Sequence, residues 1–367
     1  MKTRVPLAIT SAILAAAACL ARAPPLVTLA PASAGSIGRA QFAQAGLPKG
    51  SRVDQPLRRG PDGEIEVIDP TKEKGAGPRR CAVGAICVGR DQAYRHLSDA
   101  LAVARPGVTI EITGGTYRES VAVRTRDLTI RGVAGTPHID CAGLRLAGDK
   151  ACILLAADGI SLENLDISGA VVPDAVGANG ACIRNEPNLN FTLRQISCHG
   201  SQDGLLTNGG RVVIDNSEFY DNGWTALTHN VYLSGECSTV TVRGSTFRDA
   251  RVGHEFKSRC QRTEISDSLF RSTRGSRDID IPDGGDTMVY RSTLVKTAGA
   301  ESEEIIGFAA ESCAHPGDMI LKDVTIVNSR QDASLHNFDK CRGRAIVLEG
   351  VRTQGMPVRQ IGYILRR

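Results

Sequence analysis

Apolar and polar residues alternate along this chain in two periods. Between Arg90 and Gly107, the residues Tyr94, Leu97, Ala100, Leu101 and Val103 recur at the spacing of one helical face, and Pro106-Gly107 closes the segment. From Val108 the period drops to two. Val108, Ile110 and Ile112 alternate with polar residues, which predicts a strand, and "GGTYRE" follows it. Beyond that point one six-residue phrase recurs with apolar first and sixth positions. It reads "LENLDI" from Leu162, "LRQISC" from Leu193, "IDNSEF" from Ile214, "VRGSTF" from Val242, "ISDSLF" from Ile265, "VYRSTL" from Val289 and "LKDVTI" from Leu321, with a weaker "LEGVRT" from Leu348. Successive starts lie 31, 21, 28, 23, 24, 32 and 27 residues apart.

A short amphipathic helix, Pro-Gly, a strand and "GGTYRE", together residues 91–125, resemble the entry cap and first coil of right-handed parallel β-helix proteins. That is the architecture of pectate lyases and many other polysaccharide-active proteins, so the resemblance implies a fold and is silent about chemistry. The repeat agrees with it. A solenoid whose coils differ only in loop length keeps one phrase at variable spacing, and a two-layer sandwich does not. The L-x-x-L-x-L phrase of leucine-rich repeats and the long periods of propeller blades are absent. The expected fold is all-β, a right-handed parallel β-helix of about nine or ten coils over residues 81–367, with a short N-terminal capping helix. Tyr117 and Glu119 are expected to serve the first coil.

The ends and the cysteines bear on location. Lys2 and Arg4 precede an Ala/Leu-rich run too short for a comfortable membrane span, so residues 1–34 read as a secretory signal peptide. Ala32-Ser33-Ala34 is a better exit than Ala21-Arg22-Ala23, which a proline follows. Residues 35–80, rich in Gly, Pro, Arg and Ala, read as a flexible arm or linker. Eleven cysteines become ten once Cys19 is removed, an even number that suits disulfides in an oxidising compartment. Neighbour pairing is expected: 81–87, 141–152, 182–198, 237–260 and 313–341. With no C-x-x-C and no histidine cluster in one coil, a zinc site is not expected.

Charge excludes one class of partner. The net charge is +4, and removing Lys2, Arg4 and Arg22 with residues 1–34 leaves +1, so nothing favours nucleic acid. No later segment reaches the length of a membrane span, and a monomer is expected.

Polarity concentrates where "HNVYLSG" (229–235), "HEFKSRC" (254–260) and "DIDIPDGGD" (278–286) fall in three consecutive coils. Placing Val231, Phe256 and Ile279 inward puts Asn230, Glu255 and Asp278 in one outward column and Tyr232, Lys257 and Asp280 in the next. Elsewhere the same register holds small or apolar groups, "GLLT" (204–207) and "IIGFAA" (305–310). The set suits β-elimination of an acidic polysaccharide. Lys257 is the candidate base, Tyr232 or His254 the candidate acid toward the leaving oxygen, and Arg259 the clamp on the substrate carboxylate. Asn230, Glu255, Asp278 and Asp280 are candidate substrate contacts. Asp280 and Asp283, with Asp278 and Asp286 nearby, are candidate ligands for Ca²⁺, although their spacing matches no defined calcium loop. His229 is expected inward, as a core or turn group. Two further readings stay open: an inverting hydrolase using Asp278 and Asp280, or a C5-epimerase. A non-catalytic glycan binder is the third class, disfavoured by 4% aromatic content and a single tryptophan, Trp224.

Overall fold

The computed structural model describes residues 81–367 and, before them, two short strands, Leu57–Arg59 and Ile65–Val67, which pair antiparallel. The expected signal peptide and the rest of the arm lie outside the described residues. From Cys81 onward the chain is a right-handed parallel β-helix. A typical coil runs through Cys237–Arg243, Thr246–Arg248 and Phe256–Ser258, one strand for the first, second and third of three sheets, and every strand pairs in parallel with its counterpart in the next coil. The third sheet holds ten strands, from Val121–Val123 to Arg359–Ile361, in agreement with the expected coil number.

The repeated phrase is the corner between the first two sheets. Its third residue has left-handed backbone in all eight occurrences: Asn164, Gln195, Asn216, Gly244, Asp267, Arg291, Asp323 and Gly350, with φ between 47° and 63°. Asn, Asp and Gly tolerate that conformation with little strain, which explains their abundance there. One left-handed residue turns the strand by the angle needed to start the next sheet.

In four successive coils the fourth position is serine. The backbone N–H groups of Ser217, Ser245 and Ser268 donate to the hydroxyls of Ser245, Ser268 and Ser292, while each hydroxyl donates to the carbonyl two residues back. The corner thereby pairs the N–H groups of Ser217, Ser245 and Ser268. The sixth position points inward, where Phe219, Phe247 and Phe270 stack with centroids 5.7 and 4.9 Å apart, and Phe256 meets Phe247 edge-on at 5.3 Å.

At the N-terminal end, helix Leu97–Val103 covers the first coil. The Glu119 carboxylate accepts from the N–H groups of Leu97 (2.8 Å) and Ser98 (3.0 Å), which satisfies donors that the first helical turn leaves orphaned. Tyr117 donates to the Thr113 carbonyl at 2.7 Å. Both are fold residues, as expected. Leu97 and Ala100 are buried with Tyr94 and Leu101 packed beside them, but Val103 is exposed, because position 103 lies off the face that 94, 97 and 101 define. All five expected disulfides are present, Cys81–Cys87, Cys141–Cys152, Cys182–Cys198, Cys237–Cys260 and Cys313–Cys341.

Candidate active site

The third sheet sets the register of the site. Its inward column reads Ile153, Ile183, Leu205, Val231, Phe256, Ile279 and Ile306, all fully buried. One residue on, the outward column reads Leu154, Arg184, Leu206, Tyr232, Lys257, Asp280, Gly307 and His336. The first coils carry an apolar patch on this outer face, where Leu154 and Leu206 pack with Ala151 and Ala181. Tyr232 packs against its edge, and Lys257 and Asp280 follow it in the column.

Lys257, on strand Phe256–Ser258, and Arg259, just past its end, project from the same face. The Lys257 ammonium lies 3.4 Å from Asp280 Oδ2 and 2.9 Å from Glu311 Oε1. Arg259 donates through Nε to the Tyr232 hydroxyl (2.9 Å), through Nη1 to Asp283 (2.5 Å) and through Nη2 to Glu311 Oε2 (2.5 Å). One carboxylate, that of Glu311, thus bridges the ammonium and the guanidinium. Burial opposes its ionisation, but hydrogen bonds and charge from Arg259 and Lys257 outweigh that and bring the Glu311 carboxyl down to about 2. A second guanidinium, Arg277, holds Asp280 Oδ1 at 2.8 Å and lies over the Phe338 ring at 5.2 Å.

Beside this face runs a ladder in which side chains replace carbonyls as strand acceptors. Asp203 accepts the His229 N–H at 2.8 Å, His229 Nδ1 accepts the His254 N–H at 2.9 Å, and His254 Nδ1 accepts the Arg277 N–H at 3.2 Å. The two imidazoles stack at 4.8 Å. Burial, reinforced by nearby cations, lowers both histidines well below the ordinary imidazole value. Each is therefore neutral with its proton on Nε2, and His254 Nε2 lies 3.4 Å from Asp280 Oδ2, too far and too poorly aligned for a hydrogen bond. His229 is a buried turn group, as expected. His254 is not placed as an acid toward a leaving group: it lies beneath the face, against Asp280.

The expected outward column of Asn230, Glu255 and Asp278 is instead buried in the corner between the second and third sheets. These residues precede their strands, where the chain is still turning, so strand alternation does not govern them. Asn230 donates to Glu255 at 2.5 Å and Glu255 accepts the Ala250 N–H at 3.1 Å, while Asp278 accepts from the Ser272 hydroxyl. Lys296, also fully buried, donates to the carbonyls of Ser276 and Glu304. Burial pushes Asp278 up to about 6 against the charge of Lys296, and raises Glu255 well above the ordinary carboxylate range. None of the three presents its side chain to solvent.

Asp280, 1% exposed in its side chain, lies beneath the cations and is a brace rather than a substrate contact. The inverting pair of Asp278 and Asp280 therefore fails, since both are shut from solvent. The calcium expectation fares no better. Asp280 is engaged by Arg277 and Lys257, and Asp283 by Arg259 and the Ser312 hydroxyl at 2.7 Å, so a cation placed there would face three like charges.

Three contributors escaped the sequence reading. Arg277 precedes the strand Ile279–Ile281 and lies outside the columns that strand alternation defines. Glu311 belongs to the coil after Asp280 and reaches back over it. Gly307 matters by what it lacks, because a Cβ there would lie 2.8 Å from Arg277 Nε. The small residues of "IIGFAA" were the available signal, marking where a long side chain from the preceding coil lies flat.

A family model described as a right handed beta helix region matches residues 118–296. Among solved structures, the alginate lyase from Paenibacillus sp. str. FPU-7 aligns with a TM-score of 0.57 at 13% identity, over 73% of this chain and 95% of that one. The pectin methylesterase from Aspergillus niger gives 0.46 at 15% identity, over 75% and 87%. Pectate lyase Pel9A gives 0.47 at 12% identity, over 72% of each chain. At these identities the likeness is one of fold. No curated protein matches the sequence.

Proposed function

We propose that this chain, a right-handed parallel β-helix protein, acts on an acidic polysaccharide and cleaves it by β-elimination on the face formed by Tyr232, Lys257 and Arg259. The observation that carries this reading is the bridging carboxylate of Glu311, 2.9 Å from the Lys257 ammonium and 2.5 Å from Arg259. It marks a place where a carboxylate fits between an amine and a guanidinium that also holds a phenol. The Paenibacillus protein of the same fold is named for alginate, which is in keeping with an anionic polymer.

In this reading a uronate carboxylate of the substrate displaces Glu311 and pairs with Arg259. Its neutralisation makes the adjacent C–H acidic enough to remove. Lys257, in its amine form and freed of one carboxylate partner, takes that proton. The electron pair forms the C=C bond as the bond to the glycosidic oxygen breaks, and the Tyr232 hydroxyl protonates that oxygen. The phenolate left behind stays beside Arg259 Nε. Asp280, His254 and Arg277 orient Lys257 from below. Five disulfides suit action outside the reducing cytosol.

The test mixes purified protein with a panel of polyuronides, with and without Ca²⁺, and follows the ultraviolet absorbance of unsaturated ends. Absorbance that needs Lys257 supports the reading. Reducing ends without absorbance would make the protein a hydrolase, and binding without product would make it a glycan binder.

A further inference from the structure

The outer face of the second sheet carries a second cluster, on the N-terminal coils and away from the proposed active site. His138, Asp166 and His199 come from three consecutive coils, at the ends of strands Thr129–Asp140, Ile160–Ser168 and Phe191–His199. His138 pairs in register with Asp166, and Ser168, two residues on, pairs with His199. One potential ligand atom of each residue lies within 4.8 Å of the others. The sequence suggested no such group because the three residues are 28 and 33 positions apart. Coil stacking, rather than a local motif, assembles them.

From this geometry we infer a binding site for a divalent transition ion of the Zn²⁺ class. Two imidazoles and one carboxylate form a mixed nitrogen and oxygen set that suits zinc, cobalt or nickel and is a poor cage for calcium, which needs six or more oxygens. In a tetrahedral site with bonds of about 2.0–2.1 Å, ligand atoms are about 3.3 Å apart. His199 Nε2 and Asp166 Oδ1 are already 3.1 Å apart. Side-chain rotation of His138, now hydrogen-bonded at 2.8 Å to Ser168 Oγ, brings in the third ligand, and the half-exposed face leaves the fourth position to water.

The surroundings favour a cation. The nearby guanidiniums are already committed, Arg118 to Asp140 at 2.6 Å and Arg248 to Glu218 at 2.5 Å. Tyr220 stacks on His199 at 4.8 Å and fixes its ring plane. All three ligands project from strands rather than loops, so the backbone positions are set before an ion arrives.

The experiment titrates the chelator-treated, disulfide-intact full chain with Zn²⁺ by calorimetry and with Co²⁺ by visible absorption, with Ca²⁺ as a competitor. The expected result is one equivalent bound, little competition from calcium, and at least tenfold weaker binding in Asp166→Asn and in His138→Gln. In the unaltered chain, zinc should shift the side-chain nitrogen resonances of His138 and His199, a readout that needs no variant. Anomalous scattering from a zinc-soaked crystal would place the ion. No binding at millimolar zinc, or binding that leaves these two histidines unshifted, would overturn the inference. Because Lys257 lies on another sheet, both variants should retain whatever activity the wild-type chain shows.

Discussion

Glu311 lies 54 residues beyond Lys257 in sequence, yet its Oε1 rests 2.9 Å from the Lys257 ammonium. The contact spans two coils of the third sheet and continues to Arg259, so one acidic side chain occupies the space between the two cations assigned to the substrate.

If Glu311 stands in for the substrate carboxylate, Glu311→Gln should bind polyuronate more tightly, with a KM several-fold lower and kcat changed less. Stability should move the other way. With its folded pKa depressed to about 2, Glu311 contributes stability present above its ordinary value near 4.5 and lost as pH falls toward 2. The side chain is half exposed, so solvent screening keeps that contribution at about 1 kcal/mol or less. Urea midpoints of the wild type and the variant should differ at pH 6 and converge near pH 2.

Lys257→Ala should lower the rate of unsaturated-end formation by roughly 10²–10⁴-fold while the circular dichroism spectrum stays native. Tyr232→Phe should cost a comparable factor in kcat with little change in KM, since the ring still packs at the edge of the apolar patch and only the hydroxyl is lost. Full activity in Lys257→Ala would remove the base from the mechanism.

Lys296→Met should be strongly destabilising at pH 7.5, by roughly 3–5 kcal/mol, because it leaves Asp278 and Glu255 buried without their cation. The defect should depend on pH. With its folded pKa raised to about 6, Asp278 imposes no cost below its ordinary value near 3.8 and its full cost above 6. The gap between wild type and variant, read from urea midpoints, should narrow as pH falls from 7.5 to 4. A gap independent of pH would show that lost packing, not charge, dominates.

Gly307→Ala should leave the melting temperature within a few degrees of wild type and lower activity about tenfold. The added methyl meets the flexible end of Arg277, which moves aside at small energetic cost but then no longer holds Asp280 under Lys257. A crystal structure of the variant with Arg277 in place would contradict this.

Much of this arrangement was legible in the sequence. The phrase repeat marked successive coils, Val231, Phe256 and Ile279 fixed the register, and Tyr232, Lys257 and Asp280 fell into one column because strand alternation is a strict period of two. That logic stops where the strand stops. Asn230, Glu255 and Asp278 sit one residue before their strands, in turning backbone, and went into the corner. Long side chains escape it too, since Arg277 and Glu311 act on neighbouring coils, and no linear period records how far a side chain reaches. The pairing of His138 and His199 with Asp166 was hidden for the same reason: adjacency along the solenoid axis is set by loop lengths that the chain varies freely.

The five disulfides have a mechanical consequence. They join residues 6, 11, 16, 23 and 28 positions apart, so none ties one end of the solenoid to the other. Pulled from its termini, such a molecule would open like a spring losing turns, and each cross-link would withhold its own short length of thread from the extension. Reducing agent would lengthen individual steps of the force trace without merging them. The staples act as local stops on a one-dimensional stack, and the toughness they confer belongs to each turn separately.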